Sequence, residues 1–281
     1  MIYLTKDNQA AITYVAEFLD SNWLEQENGN YKYQNIGYRD IKNPVQRYRN
    51  FFVEEQRGKC CYCCRDIQND HHTELEHIIP RSKFNVESFE PYYRYSSILH
   101  DHVVPQAIFE EKQGLKDDKL VCPPFPHHIA YHNIVASCNG RTFESSANFT
   151  CCNRIRKDDF IPPFNLMQDS IRYLPDGSIV FEQDIAGLTY LNLLNVTKPI
   201  LKSIRRLWYL FSKSTLTLAE VVNTSGQKKQ LFEYIVENAI VHAPAETTVE
   251  DYKLAGTFSE PVRWSSFVCY SYFFNYYRDN A

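Results

Sequence analysis

The sequence lacks any long apolar run, and none of its stretches reaches the ~18 residues that a membrane-spanning helix requires. A basic segment followed by an apolar one is also missing near Met1, so we expect no secretory leader. Internal repeats and low-complexity tracts are absent as well. With 44% hydrophobic and 23% charged residues, the composition is typical of a globular protein rather than a disordered one. We therefore expect a cytoplasmic protein that does not contact membranes.

An excess of positive charge is lacking too, because 30 Lys and Arg residues stand against 34 Asp and Glu residues, giving a net charge of −4. This balance excludes a protein that coats nucleic acid indiscriminately, although a local basic groove can still bind phosphates. The first local concentration of basic residues, which we expect to contact phosphate, comprises Arg141, Arg154, Arg156 and Lys157. The second, which fits a solvated helix face equally well, comprises Lys198, Lys202, Arg205, Arg206 and Lys213.

Cysteine, in contrast, is plentiful: the chain has nine, and most of them lie in tight clusters. Such clusters are typical of metal sites in a reducing compartment, whereas disulfide frameworks are typical of small secreted proteins. Thiols with two residues between them suit a zinc knuckle, since a short turn lets both sulfurs reach one tetrahedral ion. Cys60 and Cys63 are the favoured first half of a structural Zn²⁺ site, and Cys61 and Cys64 have the same spacing.

The second half of this zinc site is predicted to be Cys138 with Cys152, or with Cys151 in its place. Between Cys138 and Cys152 lie 13 residues rather than the usual two. The longer loop is chemically admissible, because the entropy of loop closure grows slowly with length and zinc only requires that the sulfurs converge. The isolated Cys122 and Cys269 are predicted to be structural.

A different kind of site is indicated by Glu76-His77-Ile78-Ile79-Pro80, which lies between the two cysteine groups. A histidine beside a carboxylate, answered later by Asn153, predicts a catalytic metal centre built on a zinc-stapled scaffold. Glu76 and His77 would point to opposite faces of a strand. Glu76 can therefore hold an ion only if the backbone turns or bulges there.

The order of elements predicts an α+β fold that is mainly α. The turn sequence Pro175-Asp176-Gly177 between two apolar segments predicts a β-hairpin, and residues 75–79 predict a strand. Three regions are expected, namely a helical region at 1–50, a metal-bearing core at 51–165 and a mainly helical region at 166–281. Helices are predicted over residues 10–19, 44–57, 105–113, 152–158, 189–213 (with Pro199 beginning its second part), 216–222, 227–241 and 261–278.

Four motifs together resemble one known family. They are Cys60-Cys61-Tyr62-Cys63, Glu76-His77-Ile78-Ile79-Pro80, His132-Asn133-Ile134-Val135 and Cys152-Asn153-Arg154-Ile155-Arg156-Lys157. In this order they resemble the HNH endonucleases, which have the ββα-metal (His-Me finger) fold. The wider chain is similar to the HNH subunit of Septu-type antiphage defence systems, which also occurs as a retron effector.

The resemblance implies roles for individual residues. His77 would be the general base that activates water, which fits an imidazole that titrates near neutral pH. Asn133 would orient the His77 loop, and Asn153 with Glu76 would hold a catalytic Mg²⁺ or Mn²⁺ through oxygen atoms. The first basic concentration would contact the substrate.

The resemblance also implies partners. The substrate would be nucleic acid, with DNA favoured over a structured RNA such as tRNA, and an ABC/SMC-like ATPase would restrain or present the nuclease. A retron reverse transcriptase with its non-coding RNA and msDNA is a further candidate partner.

Two alternatives stay open: a zinc-stapled nucleic-acid-binding or scaffold module without cleavage activity, and a zinc hydrolase using His128 and His132.

Overall fold

A computed structural model describes residues 4–21, 23–25, 31–33, 45–78, 115–116, 119–120, 131–141, 150–156, 171–181, 192, 196–214, 216–222 and 261–280. These residues form a mixed α+β structure of helices and small two-stranded sheets, which confirms the predicted class at this level. The chain divides into two compact units. Unit 1 comprises Met1–Cys61, Ile67–Ser137 and Arg156–Met167, and unit 2 comprises Tyr62–Asp66, Cys138–Ile155 and Gln168–Ala281.

The described residues of unit 1 contain two helices and several short strands. In chain order they are α1 (Gln9–Ser21), β1 (Trp23–Glu25), β2 (Tyr31–Tyr33), α2 (Val45–Glu55), β3 (Thr73–His77), β4 (Leu115–Lys116), β5 (Lys119–Leu120) and β6 (Ile134–Cys138, whose last residue belongs to unit 2). Strand β1 pairs with β2 and β4 with β5, both antiparallel, and β3 pairs with β6. A short 3₁₀ turn, Tyr131–Asn133, leads into β6.

Helix α2 delivers the chain towards the cysteines, as its sequence predicts. Tyr48 and Phe52, four residues apart on one face, are fully buried. The helix stops because Gly58 adopts φ 67°, and its N–H donates to the carbonyl of Val53 over 2.8 Å. A left-handed glycine of this kind is the usual end of a helix, because it carries no Cβ to clash.

A buried lysine ties the first described residues to this core. The Lys6 ammonium donates to the Glu55 carboxylate over 3.0 Å and to the carbonyl of Ile134 over 2.8 Å. It also lies over the rings of Phe52 and Tyr131, at 4.7 and 4.0 Å from their centroids. Burial lowers the pKa of Lys6, while the neighbouring Glu55 charge opposes that shift. The segment before α1 is thereby held against β6.

The side chain of Gln56 makes the backbone hydrogen bonds with β6 that a neighbouring strand would otherwise make. Its amide N–H₂ donates to the carbonyl of Ala136 over 2.7 Å, and its amide oxygen accepts the Ala136 N–H over 2.7 Å. The N–H of Cys61 also donates to the Ala136 carbonyl, over 3.2 Å. Because Gln56 is only 2% exposed, these bonds are shielded from water, and they fix the start of the cysteine segment beside β6.

The described residues of unit 2 contain five helices and one hairpin. In chain order they are α3 (Asn153–Arg156, whose last residue belongs to unit 1), β7 (Ile171–Tyr173), β8 (Ile179–Phe181), α4 (Pro199–Lys213), α5 (Leu218–Val222), α6 (Pro261–Val268) and α7 (Tyr272–Asp279). Strands β7 and β8 are antiparallel, which confirms the predicted hairpin. Pro199 begins α4, as its fixed φ favours.

The hairpin turn is fastened to α4 by a buried arginine. Gly177 adopts φ 82°, and a Cβ there would collide with the carbonyl oxygen of Lys202, so glycine is required on both counts. The Arg205 guanidinium donates to the carbonyls of Gly177 (2.6 Å) and Val196 (3.1 Å). Arg205 is 3% exposed, which removes it from the basic face that the sequence suggested.

The last predicted helix is two helices, and this corrects the expectation of one helix over residues 261–278. After Val268 the chain turns: the N–H groups of Tyr270 and Ser271 bond three residues back, to Phe267 and Val268. The Cys269 carbonyl, freed from the helix pattern, accepts the N–H of Asp66 over 2.6 Å. A residue distant in sequence thus takes the Cys269 carbonyl that a continuous helix would use. The local spacing of apolar residues does not indicate such a partner.

Aromatic side chains form the core of unit 2. Trp208 stacks on Phe267 with centroids 4.5 Å apart and planes inclined by 6°, and its indole N–H donates to the Phe267 carbonyl over 3.3 Å. Phe273 and Phe274 of α7 are each 1% exposed. These rings account for much of the aromatic content of residues 261–278, which therefore fills a core.

Asp176 at the hairpin turn forms an ion pair with Lys202, and this pair predicts that the stability of the protein depends on pH. Asp176 is partly buried, which opposes ionisation, but hydrogen bonds from Lys202 and Ser178 prevail and lower its pKa to about 2. The Asp176 contribution is therefore fully present above its ordinary pKa of 3.8 and is lost as pH falls towards 2. Because both side chains are about half exposed, we expect Asp176→Asn to cost at most ~1 kcal/mol at pH 7.

Urea unfolding of the full chain checks this prediction. The difference between wild type and Asp176→Asn should shrink between pH 4 and pH 3. Asp70→Asn serves as the control, because it removes an equal charge elsewhere. A difference that stays constant across this interval would contradict the assignment.

Several expectations lie outside the described residues. They include the predicted helices at 105–113 and 227–241, the last two residues of 152–158, most of the beginning of 189–213, and Cys122. Among the helices that are described, none is long and apolar enough to cross a membrane.

Candidate metal centre and catalytic strand

Four cysteines converge in the structure. Their sulfur atoms all lie within 4.8 Å of one another, and all four side chains are buried. The set is Cys60, Cys63, Cys138 and Cys152. This is the combination that the sequence favoured, and the alternatives at Cys61, Cys64 and Cys151 lie outside it.

Left-handed backbone shapes the cysteine segments locally. Cys64 (φ 64°) and Cys152 (φ 56°) both have positive φ, which is uncommon for residues with a Cβ. Gly140 follows Cys138 closely with φ 70°, and a Cβ there would collide with the Cys151 carbonyl oxygen. The Cys151 N–H also donates to the Gly140 carbonyl over 3.1 Å. These turns bring residues 138 and 152 together despite the 13 residues between them.

The geometry of the tetrad fits a tetrahedral zinc ion. Zn–S bonds of about 2.3 Å in a tetrahedron place the sulfurs about 3.8 Å apart. The Sγ atoms of Cys63 and Cys138 are 3.8 Å apart. A fully cysteine-lined, buried site also matches the closed ligand sets of structural zinc rather than the open sets of catalytic zinc. The four cysteines could therefore hold a metal ion, and their chemistry favours Zn²⁺.

Tyr270, a residue that sequence reasoning missed, lies beside this site. Its hydroxyl is 3.9 Å from the Cys63 sulfur, close enough for a weak hydrogen bond. Burial raises the pKa of Tyr270, and the nearby Cys63 raises it further. The phenol thus stays protonated and can donate to a metal-bound thiolate, which is the usual way that outer groups tune such ligands. A tyrosine many residues away gives no sequence signal of this contact.

The thiols outside the tetrad have other surroundings. Burial raises the pKa of Cys61, and the neighbouring Cys60 adds to the shift. The Cys64 sulfur is 3.4 Å from the Tyr173 hydroxyl, and the Cys151 sulfur is 3.4 Å from that of Cys152. These thiols are packed against protein, as buried free cysteines commonly are.

His77 is the last residue of β3, so the strand ends two residues earlier than the sequence predicted. The next residue, Ile78, donates its N–H to the Asn133 carbonyl over 2.8 Å. Ile78 and Asn133 are both fully buried. The hydrogen bond lies just before β6 and couples the two strand ends. Whether the Asn133 side chain acts in catalysis stays a prediction.

Arg156 clamps this same strand end, and its role differs from the expected one. Its guanidinium donates to the Glu76 carboxylate and to the Ile78 carbonyl, both over 3.2 Å, and also to the His77 carbonyl. The Arg156 side chain is 1% exposed and that of Glu76 is 13% exposed. This corrects the prediction that Arg156 contacts phosphate, because a buried guanidinium facing protein acceptors cannot reach a substrate.

The other predicted site residues belong to unit 2 or lie outside the described residues. Asn153 is half-buried at the start of α3, while Arg154 and Arg141 are exposed. The Arg141 carbonyl accepts from the Arg65 guanidinium over 2.6 Å. Their roles in metal and substrate binding stay predictions. Lys157, His128 and the side chain of His132 lie outside the described residues.

In the described part of the chain, the cysteine tetrad is the single group in which three or more His, Cys, Asp or Glu side chains converge. Comparison of the chain with protein-family models, with curated proteins and with solved structures gave no match.

Proposed function

We propose that this chain is a metal-dependent endonuclease of the HNH type, which hydrolyses phosphodiester bonds of nucleic acid. The observation that carries the proposal is the fixed strand end at His77, held by the Asn133 carbonyl and by Arg156. A short helix beginning at Asn153 and a cysteine tetrad accompany it in the same chain. A ββα arrangement with a zinc staple would be built from these parts.

In this proposal His77 removes a proton from the attacking water. An imidazole suits that role because its ordinary pKa lies near neutral pH, so a large fraction is neutral and able to accept a proton. The backbone at His77 is held by hydrogen bonds to Asn133 and Arg156, which limits the positions that the ring can occupy. A bound Mg²⁺ or Mn²⁺ would supply electrostatic stabilisation of the phosphate and of the leaving oxygen.

Oxygen atoms of Asn153 and Glu76 would hold that catalytic ion. Glu76 already forms an ion pair with Arg156, and its side chain is 13% exposed. One carboxylate has two oxygens, so a second oxygen can bind an ion while the first accepts from the guanidinium. Zn²⁺ would stay in the tetrad as a structural ion.

The wider proposal concerns setting and partners. We propose an effector of cytoplasmic antiphage defence that cuts DNA, or else tRNA, in association with an ABC/SMC-like ATPase. A retron reverse transcriptase with its RNA and msDNA is a further candidate partner. The resemblance of the motifs to the HNH subunit of Septu-type systems supports this setting.

A second candidate function is a zinc-stapled nucleic-acid-binding or scaffold module that does not cleave. One observation favours it: among the described residues the tetrad converges as a full ligand set, whereas no group of acids and histidines converges around His77. The two candidates differ in a single measurable property, which is phosphodiester hydrolysis.

We expect the purified chain to cut plasmid DNA or tRNA when Mg²⁺ or Mn²⁺ is added, and His77→Ala to lower the rate by ~10²–10⁴-fold through loss of the base. His71→Ala is the matched control, because His71 is exposed and lies on the same approach to β3. The assay measures initial cleavage rates with and without the added ion.

Retention of full cleavage by His77→Ala would overturn the catalytic assignment. Binding of nucleic acid by both proteins without any cleavage, with the predicted ATPase present, would establish the module instead. Loss of activity in His128→Ala while His77→Ala stays active would support the zinc hydrolase.

A further inference from the structure

The segment that precedes α1 holds the 3₁₀ turn of Asn133 on both sides. The Lys6 ammonium donates to the carbonyl of Ile134, the residue after Asn133, over 2.8 Å. The Asn8 N–H donates to the hydroxyl of Tyr131, two residues before Asn133, over 2.9 Å. One short segment of the chain therefore contacts the beginning of the turn and the residue that follows it.

A carboxylate at the end of α2 connects the two contacts. Glu55 accepts from the Lys6 ammonium over 3.0 Å with one oxygen and from the Tyr131 hydroxyl with the other. The Lys6 ammonium also lies 4.0 Å from the centroid of the Tyr131 ring. The side chains of Lys6 and Glu55 are 0% and 6% exposed, so water does not compete for these bonds. Lys6, Glu55 and Tyr131 thus form a buried network in which each member contacts the other two.

The turn that this network holds supports the strand end at His77. The Ile78 N–H, directly after His77, donates to the Asn133 carbonyl over 2.8 Å. Arg156 donates to the carbonyls of His77 and Ile78 instead. The Asn133 carbonyl and Arg156 therefore act on different backbone groups, and neither can replace the other. A shift of the Asn133 turn would release the Ile78 N–H and leave the contacts of Arg156 in place.

Two features of Lys6 are unfavourable by themselves. Its backbone is left-handed, with φ 55°, which is uncommon for a residue with a Cβ. Burial of an ammonium group also costs free energy unless acceptors surround it. Such features persist where the surrounding structure holds them, and they are frequent beside functional sites. An apolar side chain would fill the same space without the charge, so the contacts with Glu55 and Ile134 are the reason for a lysine here.

We propose that Lys6 positions the strand end at His77, acting through the Tyr131–Asn133 turn and the Ile78 N–H. Lys6 is a positioning residue, because its ammonium is buried and faces protein acceptors. The consequence for cleavage rests on the proposed function, whereas the consequence for the Ile78 N–H does not. In the nuclease, a general base displaced by about 1 Å lowers the rate by up to about 10²-fold.

The test measures hydrogen exchange of single backbone N–H groups by NMR in the full chain, purified with its metal. Lys6→Met keeps the length of the side chain and removes its three donors. We expect the Ile78 N–H to exchange about 10- to 100-fold faster, the factor that corresponds to loss of a hydrogen bond from a charged group. The Ala136 N–H is the internal reference and should keep its rate, because it lies in the same strand β6 but donates to the Gln56 oxygen.

A second variant keeps the test decisive if Lys6→Met does not fold. Lys6→Met/Glu55→Gln also removes the carboxylate charge that Lys6 no longer neutralises, so it should unfold at a higher temperature than Lys6→Met. The Ile78 N–H should still exchange faster than in wild type. Lys202→Met is the matched control, since it removes a lysine that lies 2.7 Å from a carboxylate on the surface of unit 2. It should leave the Ile78 rate unchanged.

An unchanged Ile78 rate in a folded Lys6 variant would overturn the inference. Equal acceleration of the Ile78 and Ala136 N–H groups would also overturn it, because it would show a general loss of stability. If wild type cleaves nucleic acid, we expect Lys6→Met/Glu55→Gln to lower kcat by about 10- to 100-fold and to change KM by less than about twofold. An unchanged kcat would contradict the positioning role.

The two proposals fail separately. Absence of cleavage by wild type removes the nuclease, and the Ile78 exchange rate still decides whether Lys6 holds the strand end. Cleavage by wild type with an unchanged Ile78 rate in the variants retains the nuclease and removes the role of Lys6.

Discussion

Replacing Cys138 by serine is expected to remove the metal from the purified chain and to lower its stability more than any other single change considered. A structural Zn²⁺ site stabilises its folded state by ~10–16 kcal/mol at pH 7 in isolated zinc fingers, because the unfolded chain offers no formed site. The tetrad is buried, its sulfurs lie within 4.8 Å of one another, and those of Cys63 and Cys138 have the spacing expected around a tetrahedral ion. Serine retains the volume but not the soft thiolate that zinc prefers.

The measurement is the metal content of the full chain, together with its unfolding temperature. Wild type should carry one zinc per chain, and Cys138→Ser none. Cys269→Ser is the matched control: this half-buried thiol lies outside the tetrad and should keep both the metal and the unfolding temperature. One zinc per chain and unchanged stability in Cys138→Ser would refute the ligand assignment.

Replacing Arg156 by methionine is expected to cost ~3–5 kcal/mol of unfolding free energy, since it leaves Glu76 without its buried partner. The carbonyls of His77 and Ile78 lose donors as well, and buried acceptors without partners are destabilising. In the proposed nuclease, the same change would loosen the strand end that positions His77. Cleavage, if measured at a temperature where the variant is folded, should then fall through kcat more than through KM.

A double-mutant cycle separates this ion pair from simple loss of packing. Arg156→Met/Glu76→Gln should recover part of the loss, because the second change removes the carboxylate charge that Arg156 no longer neutralises. Arg154→Met, two residues away and exposed, is the matched control and should change stability by less than ~0.5 kcal/mol. Additive effects of the two single changes would show that the ion pair contributes no coupling.

Features encoded by local spacing could be predicted from the sequence. The Cys-x-x-Cys spacing located a zinc knuckle within residues 60–64, with Cys60 and Cys63 as the favoured pair, and Asp176-Gly177 located the hairpin turn, because both features depend on a few adjacent residues. Pro199 likewise marked the first turn of α4. In each case the local backbone determines the structure almost alone.

Features that depend on distant partners could not be predicted in the same way. The basic residues close to Arg156 in sequence predict a phosphate contact, yet its acceptors come from residues 76–78. The break between α6 and α7 involves Asp66, some 200 positions earlier in the chain. The charges on α4 likewise divide into a buried Arg205 and an exposed Lys202, which periodicity alone did not resolve.

The amide of Gln56 restricts what evolution can place at that position. It presents one donor and one acceptor to the same residue, Ala136, in the manner of a backbone peptide group. Glutamate has nearly the same shape but, when ionised, would set an oxygen against the Ala136 carbonyl oxygen. Asparagine is one methylene too short to span the same gap. An ancestral or designed relative that preserves β6 should therefore retain glutamine there, even where the surrounding helix has diverged.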